Sequence, residues 1–389
     1  MGNVISRLGR AIRGSLGPST SSGDPEPQAE LEVRVIARPD HCISRSDISQ
    51  NALKVLYRLN DAGYHAHMVG GGVRDLLLGL HPKDFDVATD ATPEQVKDLF
   101  RNCRLIGRRF RLAHVHFGKE IIEVATFRAP HDQNDQSAAE VDDVAATENG
   151  RIVRDNVFGT LEEDAIRRDL TINALYYNID DFSIIDYVGG AQDIEDRLIR
   201  LIGDPVQRYR EDPVRMLRVI RFAAKLDFDI HASAEAPLRE LGELLADVPS
   251  ARLFEEVNKL FLSGHAVRAY NLLRDYDLFR YLFPATADAI DESENDETPF
   301  VEPFLLSALA STDRRISEGK PVTPAFLYAA LLWEPVRQTA LDYSEEDEPD
   351  PMDIRDSAYA VADEQRDRVS IPKRFQIAKA YGSYEDMLN

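Results

Sequence analysis

A glycine turn is the first part of this sequence whose residue types suggest chemistry. The apolar run that ends at Val69 leads into three glycines at 70–72, and an apolar pattern of helical spacing resumes at Val73. Glycines allow the backbone to turn tightly, and the N–H groups at the start of a helix attract phosphate. The stretch therefore predicts a phosphate-binding turn.

Two carboxylates follow at the spacing of a strand. Asp84 and Asp86 flank Phe85, and the two-residue period of a strand would put both acids on one face. Paired carboxylates bind Mg²⁺, and two metal ions about 3.5–4 Å apart stabilise the attacking and leaving oxygens of a phosphoryl displacement. The pattern matches neither a P-loop nor a GxGxxG turn. A phosphate-binding turn followed by paired acids supplies most of what a nucleotide-transferring enzyme needs.

A third carboxylate usually completes such a site, and the sequence offers two. Glu123 lies in the apolar strand-like run 121–127, where an isolated acid is costly unless it binds a metal or another cation. Asp169 follows two arginines and has a helix cap or a salt bridge as its structural alternative. We keep Glu123 as a candidate metal ligand and Asp169 as a candidate catalytic acid, and the sequence leaves open which of them completes the site.

Three further polar residues are candidates for binding the nucleotide. Arg74 lies four residues after the first glycine of the turn, within reach of a bound phosphate, and an ion pair with Asp75 or Asp84 is its alternative role. Arg168 and Asn173 are five residues apart, about a turn and a half of a helix. We expect them to contact the triphosphate and the sugar, with packing of the first domain against the next as the alternative.

A basic helix follows that is suited to reading a base. Asp212, Arg215, Arg218 and Arg221 recur at three-residue steps on a helix that begins at Pro213. The carboxylate of the first can accept a hydrogen bond from an exocyclic amino group, and the guanidinium of the second can donate to the neighbouring ring nitrogen. Adenine and cytosine both present that edge, so the helix allows ATP or CTP without choosing between them.

The composition limits what kind of protein this is. The chain has 389 residues, a net charge of −22 and only two cysteines, Cys42 and Cys103. The cysteines are far apart and have no CxxC partner, which argues against a zinc site and fits a reducing cytoplasm. No run approaches 18 apolar residues, so the sequence predicts no membrane span.

The negative charge is unfavourable for RNA binding, but it is unevenly distributed. Acidic residues concentrate at 131–148, 286–297 and 344–365, whereas arginines concentrate beside the proposed site. A locally basic groove still attracts RNA, because the field matters over a Debye length of about 8 Å. The arginines are Arg101, Arg104, Arg108, Arg109 and Arg111.

Two segments are expected to lack regular structure. Residues 1–40 form a predicted disordered leader, since 17–30 are rich in Pro, Ser, Gly and Glu. Within it, apolar residues of 4–16 have helical spacing against three arginines, which predicts at most a weak association of this arm with a membrane surface. Residues 131–160 are polar and acidic and predict a flexible loop.

The remaining pattern changes from mixed to helical along the chain. A first part combines helices and strands, and from Val206 onward amphipathic helices dominate. An acidic insert near 286–300 divides the helical part. The predicted helices are 46–62 ending at Gly63, 93–100 capped by Thr92, 214–226 and 251–262, and the predicted strands are 113–117, 121–126 and 181–188.

The motifs together resemble a known superfamily. GGGVRD with KDFD, RRDLTINAL and EDPVRMLRVIRFAA, within residues 69–226, resemble the nucleotidyltransferases that include tRNA CCA-adding enzymes and bacterial poly(A) polymerases. Residues 103–128, 154–169 and 250–261 resemble the bacterial poly(A) polymerases in particular. The resemblance runs from about residue 40 to Pro284, and weakly to 371–375.

The resemblance implies an α+β fold and a reaction. A polymerase-β-like head at 41–203, with a small mixed or antiparallel sheet and helices, would precede an all-helical neck at 204–285 that binds RNA and nucleotide, and a body at 286–389. The activity implied is Mg²⁺-dependent addition of AMP from ATP to RNA 3′ ends without a template. The match assigns ATP to Gly71, Arg74, Arg168, Asp212, Arg215, Arg218 and Arg221, and catalysis to Asp84, Asp86 and Asp169.

The same resemblance implies partners and leaves two alternatives. The expected substrates are ATP and the 3′ ends of mRNA and decay fragments, and RNA-decay proteins are expected partners. Such relatives usually continue into a basic tail, whereas this sequence stops at Asn389. A CCA-adding enzyme is the first alternative, disfavoured by GRRFRLAHV and by the lack of an HD-type hydrolase segment. An inactive RNA-binding protein on this fold is the second, disfavoured because two neighbouring acids repel each other without a cation.

Overall fold

An eight-stranded mixed sheet organises the first half of the chain. Its spatial order is β1-β10-β9-β2-β3-β6-β5-β4, and its neighbouring strands are antiparallel except for the parallel pair β3 and β6. Two further pairs, β7 with β8 and β11 with β12, lie outside this sheet. All the described strands, in chain order, are β1 (Arg34–Ile36), β2 (Ala66–Val69), β3 (Asp86–Thr89), β4 (Cys103–Ile106), β5 (Leu112–Phe117), β6 (Glu120–Thr126), β7 (Val144–Ala146), β8 (Ile152–Asp155), β9 (Leu175–Asn178), β10 (Ile184–Asp186), β11 (Leu198–Ile199) and β12 (Asp229–Ile230).

Helices cover this sheet and form most of the second half. They are α1 (Gln50–Asp61), α2 (Gly71–Leu77), α3 (Pro93–Leu99), α4 (Leu161–Ile166), α5 (Gly190–Glu195), α6 (Pro205–Glu211), α7 (Val214–Leu226), α8 (Ala232–Glu240), α9 (Ser250–Phe261), α10 (Ala266–Asp275), α11 (Phe279–Leu282), α12 (Pro284–Ser293), α13 (Val301–Ser317), α14 (Pro324–Leu331), α15 (Trp333–Tyr343) and α16 (Pro351–Gln365). The computed structural model describes residues 33–107, 111–129, 144–146, 152–155, 158–293, 300–344, 349–375 and 381.

Local signals account for the helices nearest the site. Ser49 caps α1, and Gly63 follows it with φ at +91°, a left-handed conformation that glycine adopts without steric cost. Thr92 and Gln95 form a reciprocal capping box at the start of α3. The predicted ends of both helices are confirmed to within a few residues.

The most buried strand leads directly to the glycine turn. All four residues of β2 are buried, with Met68 fully inaccessible, and β2 lies between β3 and β9 in the sheet. Burial on both faces fixes the end of β2 firmly. The turn at Gly70 therefore starts from a rigid position.

Several expectations for the head need correction. Residues 34–36, assigned to the leader, form the edge strand β1, which pairs with β10, and a 3₁₀ turn follows at Arg38–Asp40. The loop predicted at 131–160 contains the antiparallel pair β7 and β8. The strand predicted at 181–188 is limited to β10, and no strand was predicted at the position of β9. The leader before residue 33 and its membrane-surface arm lie outside the described residues.

The helical half matches its prediction with two exceptions. α7 has the bounds predicted, and α9 differs by one residue at each end. β12 is a strand inside the predicted neck and pairs in parallel with β11 of the head. Part of the acidic insert is helix α12, whose Ala287 and Ile290 are fully buried; apolar residues between the acids explain that packing.

Larger-scale organisation is simple in the described part of the chain. Residues Val33–Asn389 cluster as one unit, and the boundaries placed at 203/204 and 285/286 stay predictions. Among the helices described, none combines the length and the hydrophobicity needed to cross a lipid bilayer.

Candidate active site

The glycine turn brings three predicted site residues together. Gly70 has φ at +75° and precedes α2, which begins at Gly71. A Cβ atom at Gly70 would lie 3.9 Å from Asp86 Oδ2 and 3.8 Å from Arg168 Nη1. These distances are ordinary van der Waals contacts, so the positive φ, and not crowding, is what favours glycine at this position. The predicted turn is confirmed, and phosphate binding there stays a prediction.

The two aspartates occupy different environments. Asp86 is the first residue of β3 and is half-buried, whereas Asp84 precedes the strand and is exposed. The strand therefore begins two residues later than predicted, and the expectation that the two carboxylates share one side of the segment stays a prediction. Phe85, the residue between them, is buried in the core. Its burial fixes the backbone of this segment and therefore the positions of the two acids.

Glu123 lies beside Asp86 in the sheet. The two are register partners in the parallel pair β3 and β6. The Glu123 side chain is 47% exposed and lies 3.4 Å from His114 Nε2, so the sequence argument from costly burial does not hold. Its position opposite Asp86, and not its burial, makes Glu123 the better placed third carboxylate.

The charge balance around Asp86 is unfavourable to another anion. Burial raises the pKa of Asp86 to about 6, and the carboxylates of Glu123 and Asp84 add to that rise while Arg168 opposes it. Apart from burial, the carboxylates of Glu123 and Asp84 thus act on Asp86 against the single charge of Arg168. A cation would relieve this directly.

The acids fit Mg²⁺ of the kind that is shared with a substrate. No group of three or more histidine, cysteine or acidic side chains in the described residues already has the spacing of a metal site. Mg²⁺ in nucleotide enzymes is typically held by one or two carboxylates together with substrate phosphates. Asp84 and Asp86, with Glu123 in support, supply that set.

Arg74 is engaged with the protein and is almost fully buried. Its Nε and Nη2 donate to Asp75 Oδ1 at 2.8 and 2.5 Å, and its Nη1 donates to Asn173 Oδ1 at 2.5 Å. Its guanidinium also lies over the ring of Phe222 in α7. The alternative role, an ion pair with Asp75, is thus observed, and contact of Arg74 with a phosphate stays a prediction.

Arg168 and Asn173 meet without sharing a helix. α4 ends at Ile166, and Asn173 closes a separate 3₁₀ turn at Thr171–Asn173. The expectation that one helix carries both is wrong, because an extended residue, Leu170, intervenes. Arg168 Nη1 lies 3.5 Å from the Asn173 carbonyl oxygen, so the two remain neighbours beside the glycine turn.

Asp169 lies in a neutralised cluster with the neck helix. Its carboxylate accepts hydrogen bonds from Arg215 Nε at 2.7 Å and from Arg218 Nη1. Burial opposes ionisation, but Arg218 and Arg215 outweigh it and lower the pKa of Asp169 to about 2. The salt-bridge role is therefore observed, and the catalytic role of Asp169 stays a prediction.

The predicted base-reading helix is present, and the first of its candidate residues form hydrogen bonds with other side chains of the protein. Asp212 precedes α7 as expected, and its Oδ2 accepts a hydrogen bond from Arg252 Nη2 at 2.7 Å. Arg215 also donates to Glu211 Oε2 at 2.8 Å. Arg221 stacks on Phe222 with 4.6 Å to the ring centroid. Reading of a base by this edge would require these contacts to be exchanged for the ligand.

Sequence reasoning missed the residues that hold these groups in place. Asp164 and Tyr176 contact Arg168, while Arg208 Nη2 donates to the carbonyl oxygens of Arg167 and Arg168 at 2.8 and 2.5 Å. The spacing of Asp164 four residues before Arg168 is the one signal for this in the sequence, since residues four apart meet on a helix.

The arginine cluster proposed for RNA is only partly described. Arg101 and Arg104 are exposed, and Arg111 forms an exposed ion pair with Glu94. Arg108 and Arg109 lie outside the described residues. The exposed arginines are accessible to a phosphate backbone, and RNA binding by them stays a prediction.

Comparison with known proteins agrees with this geometry. Residues 66–200 match the family model described as the poly A polymerase head domain, and residues 227–290 match the one described as a probable RNA and SrmB-binding site of polymerase A. The chain is 55% identical over 320 residues to poly(A) polymerase I of Escherichia coli O6:H1, covering 82% of this chain and 67% of that protein.

CCA-adding enzymes are more distant relatives. The one from Lactobacillus helveticus is 36% identical over 232 residues, covering 60% of this chain and 55% of that protein. A solved structure of a CCA-adding enzyme, apo form II, has a TM-score of 0.55 at 20% identity and covers 88% of this chain and 84% of that one, which confirms the α+β fold. From the identity to poly(A) polymerase I and the head-domain match, the chain belongs to the poly(A) polymerase family of nucleotidyltransferases.

Proposed function

We propose that this protein adds AMP from ATP to RNA 3′ ends without a template. The observation that carries the proposal is geometric: Asp86 lies beside the Gly70 turn, Glu123 is its register partner in the sheet, and Asp84 precedes it by two residues. Such a group suits the cations that accompany a nucleoside triphosphate. Membership of the poly(A) polymerase family supports the same reaction.

The acids and Arg168 have different roles at the reacting phosphate. Asp84 and Asp86 would hold Mg²⁺, with Glu123 as the supporting carboxylate. When bound, the metal stabilises the attacking and leaving oxygens of the displacement. Arg168 presents Nη1 to the triphosphate at the glycine turn, and its fixed positive charge complements the charge that accumulates there.

The neck helix contacts the base. Asp212 accepts from the adenine amino group and Arg215 donates to the adjacent ring nitrogen, after release of the contacts to Arg252 and Glu211 described above. Arg218 and Arg221 extend the same face of α7. This edge suits cytosine equally well, so the preference for ATP rests on the similarity to poly(A) polymerase I.

RNA and a protein partner are assigned to two surfaces. The exposed Arg101 and Arg104 bind the RNA backbone, because phosphate contacts need cations. The match of 227–290 to a probable RNA and SrmB-binding region supports binding of RNA and of a protein partner by this part of the neck. That the partner is an RNA-decay protein is our proposal.

One incorporation assay separates this function from its rival. Purified protein with Mg²⁺ receives each NTP separately, on an oligo(A) primer and on a tRNA that lacks its terminal CCA. Long products from ATP, with little use of CTP, are expected on oligo(A). Products that stop after C, C and A on the tRNA would assign the protein to CCA addition. Absence of incorporation with any nucleotide would contradict both functions.

A further inference from the structure

Asp164 is a buried acid outside the set that contacts substrate in the proposed function. It lies on α4, and only 1% of it is exposed. A carboxylate that is removed from water is costly unless several donors surround it. Its donors therefore indicate what the acid is for.

Both oxygens of Asp164 are fully used. Oδ2 accepts from Arg168 Nε at 3.2 Å, from Arg168 Nη2 at 2.9 Å and from the Tyr176 hydroxyl at 2.7 Å. Oδ1 accepts from Arg167 Nε and Nη2 at 3.2 and 2.9 Å, and from the Arg128 backbone N–H at 3.3 Å. Burial opposes ionisation, but the charges of Arg168 and Arg167 and the Tyr176 hydrogen bond lower the pKa of Asp164. The acid stays negative at neutral pH.

These contacts fix the direction of Arg168. Asp164 takes Nε and Nη2, and Tyr176 Oη also accepts from Nε at 3.0 Å. The guanidinium also lies 5.4 Å from the centre of the Tyr176 ring. The third nitrogen, Nη1, lies on the side of Gly70, where a Cβ atom built on Gly70 would be 3.8 Å from Nη1 and 3.9 Å from Asp86 Oδ2. Nη1 donates one N–H to the Asn173 carbonyl oxygen at a long 3.5 Å, and its second N–H is the one offered to a ligand.

We propose that Asp164, together with Tyr176, is a positioning residue that holds Arg168 Nη1 at the glycine turn to receive the triphosphate of the incoming nucleotide. The proposal rests on the proposed function, which places the triphosphate there. An arginine free in solution samples many rotamers, and one that is fixed in advance loses less entropy when it binds. Asp164 acts through Arg168 and touches no substrate itself.

A double-mutant cycle tests this on the full chain. We expect Asp164→Asn to lower kcat/KM for ATP about 10- to 100-fold at saturating primer. In an Arg168→Ala background the same change should have less than about a threefold effect, because the group that it positions is gone. Equal losses in both backgrounds, or no loss in the wild-type background, would overturn the proposal.

Two further variants keep the result interpretable. Tyr176→Phe removes one hydroxyl and keeps the ring, so it repeats the cycle with a smaller loss if Asp164→Asn does not fold. Glu334→Gln is the matched control: Glu334 is 5% exposed and accepts from Arg337 Nε and Nη2 at 2.8 and 2.6 Å, so it should change the melting temperature without changing kcat/KM.

The outcomes also separate this proposal from the function on which it rests. Wild-type protein that incorporates no AMP contradicts the proposed function. AMP incorporation that is unaffected by Arg168→Ala leaves that function standing and overturns the role given to Arg168 and, with it, to Asp164. Asp164→Glu restores the charge that Asp164→Asn removes. A kcat/KM for ATP that is higher in Asp164→Glu than in Asp164→Asn would support positioning by the carboxylate.

Discussion

Two acids of the candidate site experience opposite electrostatic surroundings. Asp86 shares its surroundings with Glu123 and Asp84, and its pKa rises to about 6. Asp169 is bound by Arg215 and Arg218, and its pKa falls to about 2. The comparison separates an acid whose charge two arginines balance from one that faces two further carboxylates and one arginine, and we expect the second to be the one that binds a cation.

The largest expected effect is on catalysis. Asp86→Asn should reduce AMP incorporation by at least about 10³-fold, because a metal contributes several kcal/mol to the transition state and each 1.36 kcal/mol is tenfold. Asp84→Ala should act similarly, and Asp84→Asn almost as strongly. Incorporation from labelled ATP at saturating Mg²⁺ measures this, with Glu334→Gln as the control. Near wild-type activity of Asp86→Asn would contradict the claim that Asp86 is the acid that binds the metal.

Stability should change in opposite directions at the two acids. Asp169→Asn leaves Arg215 and Arg218 without their shared partner, and we expect a loss of about 3 kcal/mol in the free energy of unfolding. Asp86→Asn should stabilise the metal-free protein at pH 7, because it removes an uncompensated charge. Urea denaturation in EDTA measures both variants. A higher free energy of unfolding in Asp169→Asn, or a much lower one in Asp86→Asn, would show that the protein balances the charge of Asp86 and not that of Asp169.

The Asp169 effect should also depend on pH in a defined window. Because the pKa of Asp169 is about 2 in the folded protein and about 4 when unfolded, its contribution is complete above pH 4 and is lost as the pH falls toward 2. The stability difference between wild type and Asp169→Asn should narrow over that interval. A difference that stays constant from pH 5 to pH 2 would show that charge is not its source.

How much of this site could be predicted depends on the range of the interaction. The turn at Gly70 and the bounds of α7 follow from local signals, namely glycine conformation and apolar periodicity. The pairing of Asp86 with Glu123 depends on sheet register between segments 37 residues apart, and no local pattern fixes that. Asp84 was misplaced because strand ends are set by pairing with β2 and not by the residues alone.

The fold shows the same division. Its α+β class and the change to helices after residue 206 were confirmed, since hydrophobic periodicity reports them. No strand was predicted at Tyr176 and Tyr177, because pairing with β2 and β10, which the local sequence does not report, is what makes this segment the strand β9. The sequence allowed either a salt bridge or a catalytic role for Asp169. It could not identify the arginines of the salt bridge, because these ion pairs join residues more than 40 positions apart.

Base reading should show an intermediate effect. Asp212→Ala should lower kcat/KM for ATP about 10- to 100-fold, since a hydrogen bond to a charged group is worth about 1.5–3 kcal/mol. Steady-state kinetics with saturating primer measures it. Because Asp212 also binds Arg252, Arg252→Ala is the companion variant. A greater loss with Arg252→Ala than with Asp212→Ala would assign the base contact elsewhere.

The smallest expected effect is on RNA affinity. Arg104→Ala should reduce the slope of log K against log salt by about 0.7, the value for one phosphate contact on a single strand. Fluorescence anisotropy with oligo(A) at several salt concentrations measures the slope. Arg355→Ala, an exposed arginine on α16, is the control. Equal slopes for wild type and Arg104→Ala would remove this arginine from the RNA site.

Direct metal binding tests the contrast between the two acids without depending on catalysis. Mn²⁺ titrated into wild type, Asp86→Asn and Asp169→Asn in the presence of a non-hydrolysable ATP analogue can be followed by electron paramagnetic resonance. We predict that wild type and Asp169→Asn bind Mn²⁺ beyond what the analogue alone binds, and that Asp86→Asn does not. Loss of Mn²⁺ in Asp169→Asn with retention in Asp86→Asn would contradict the account.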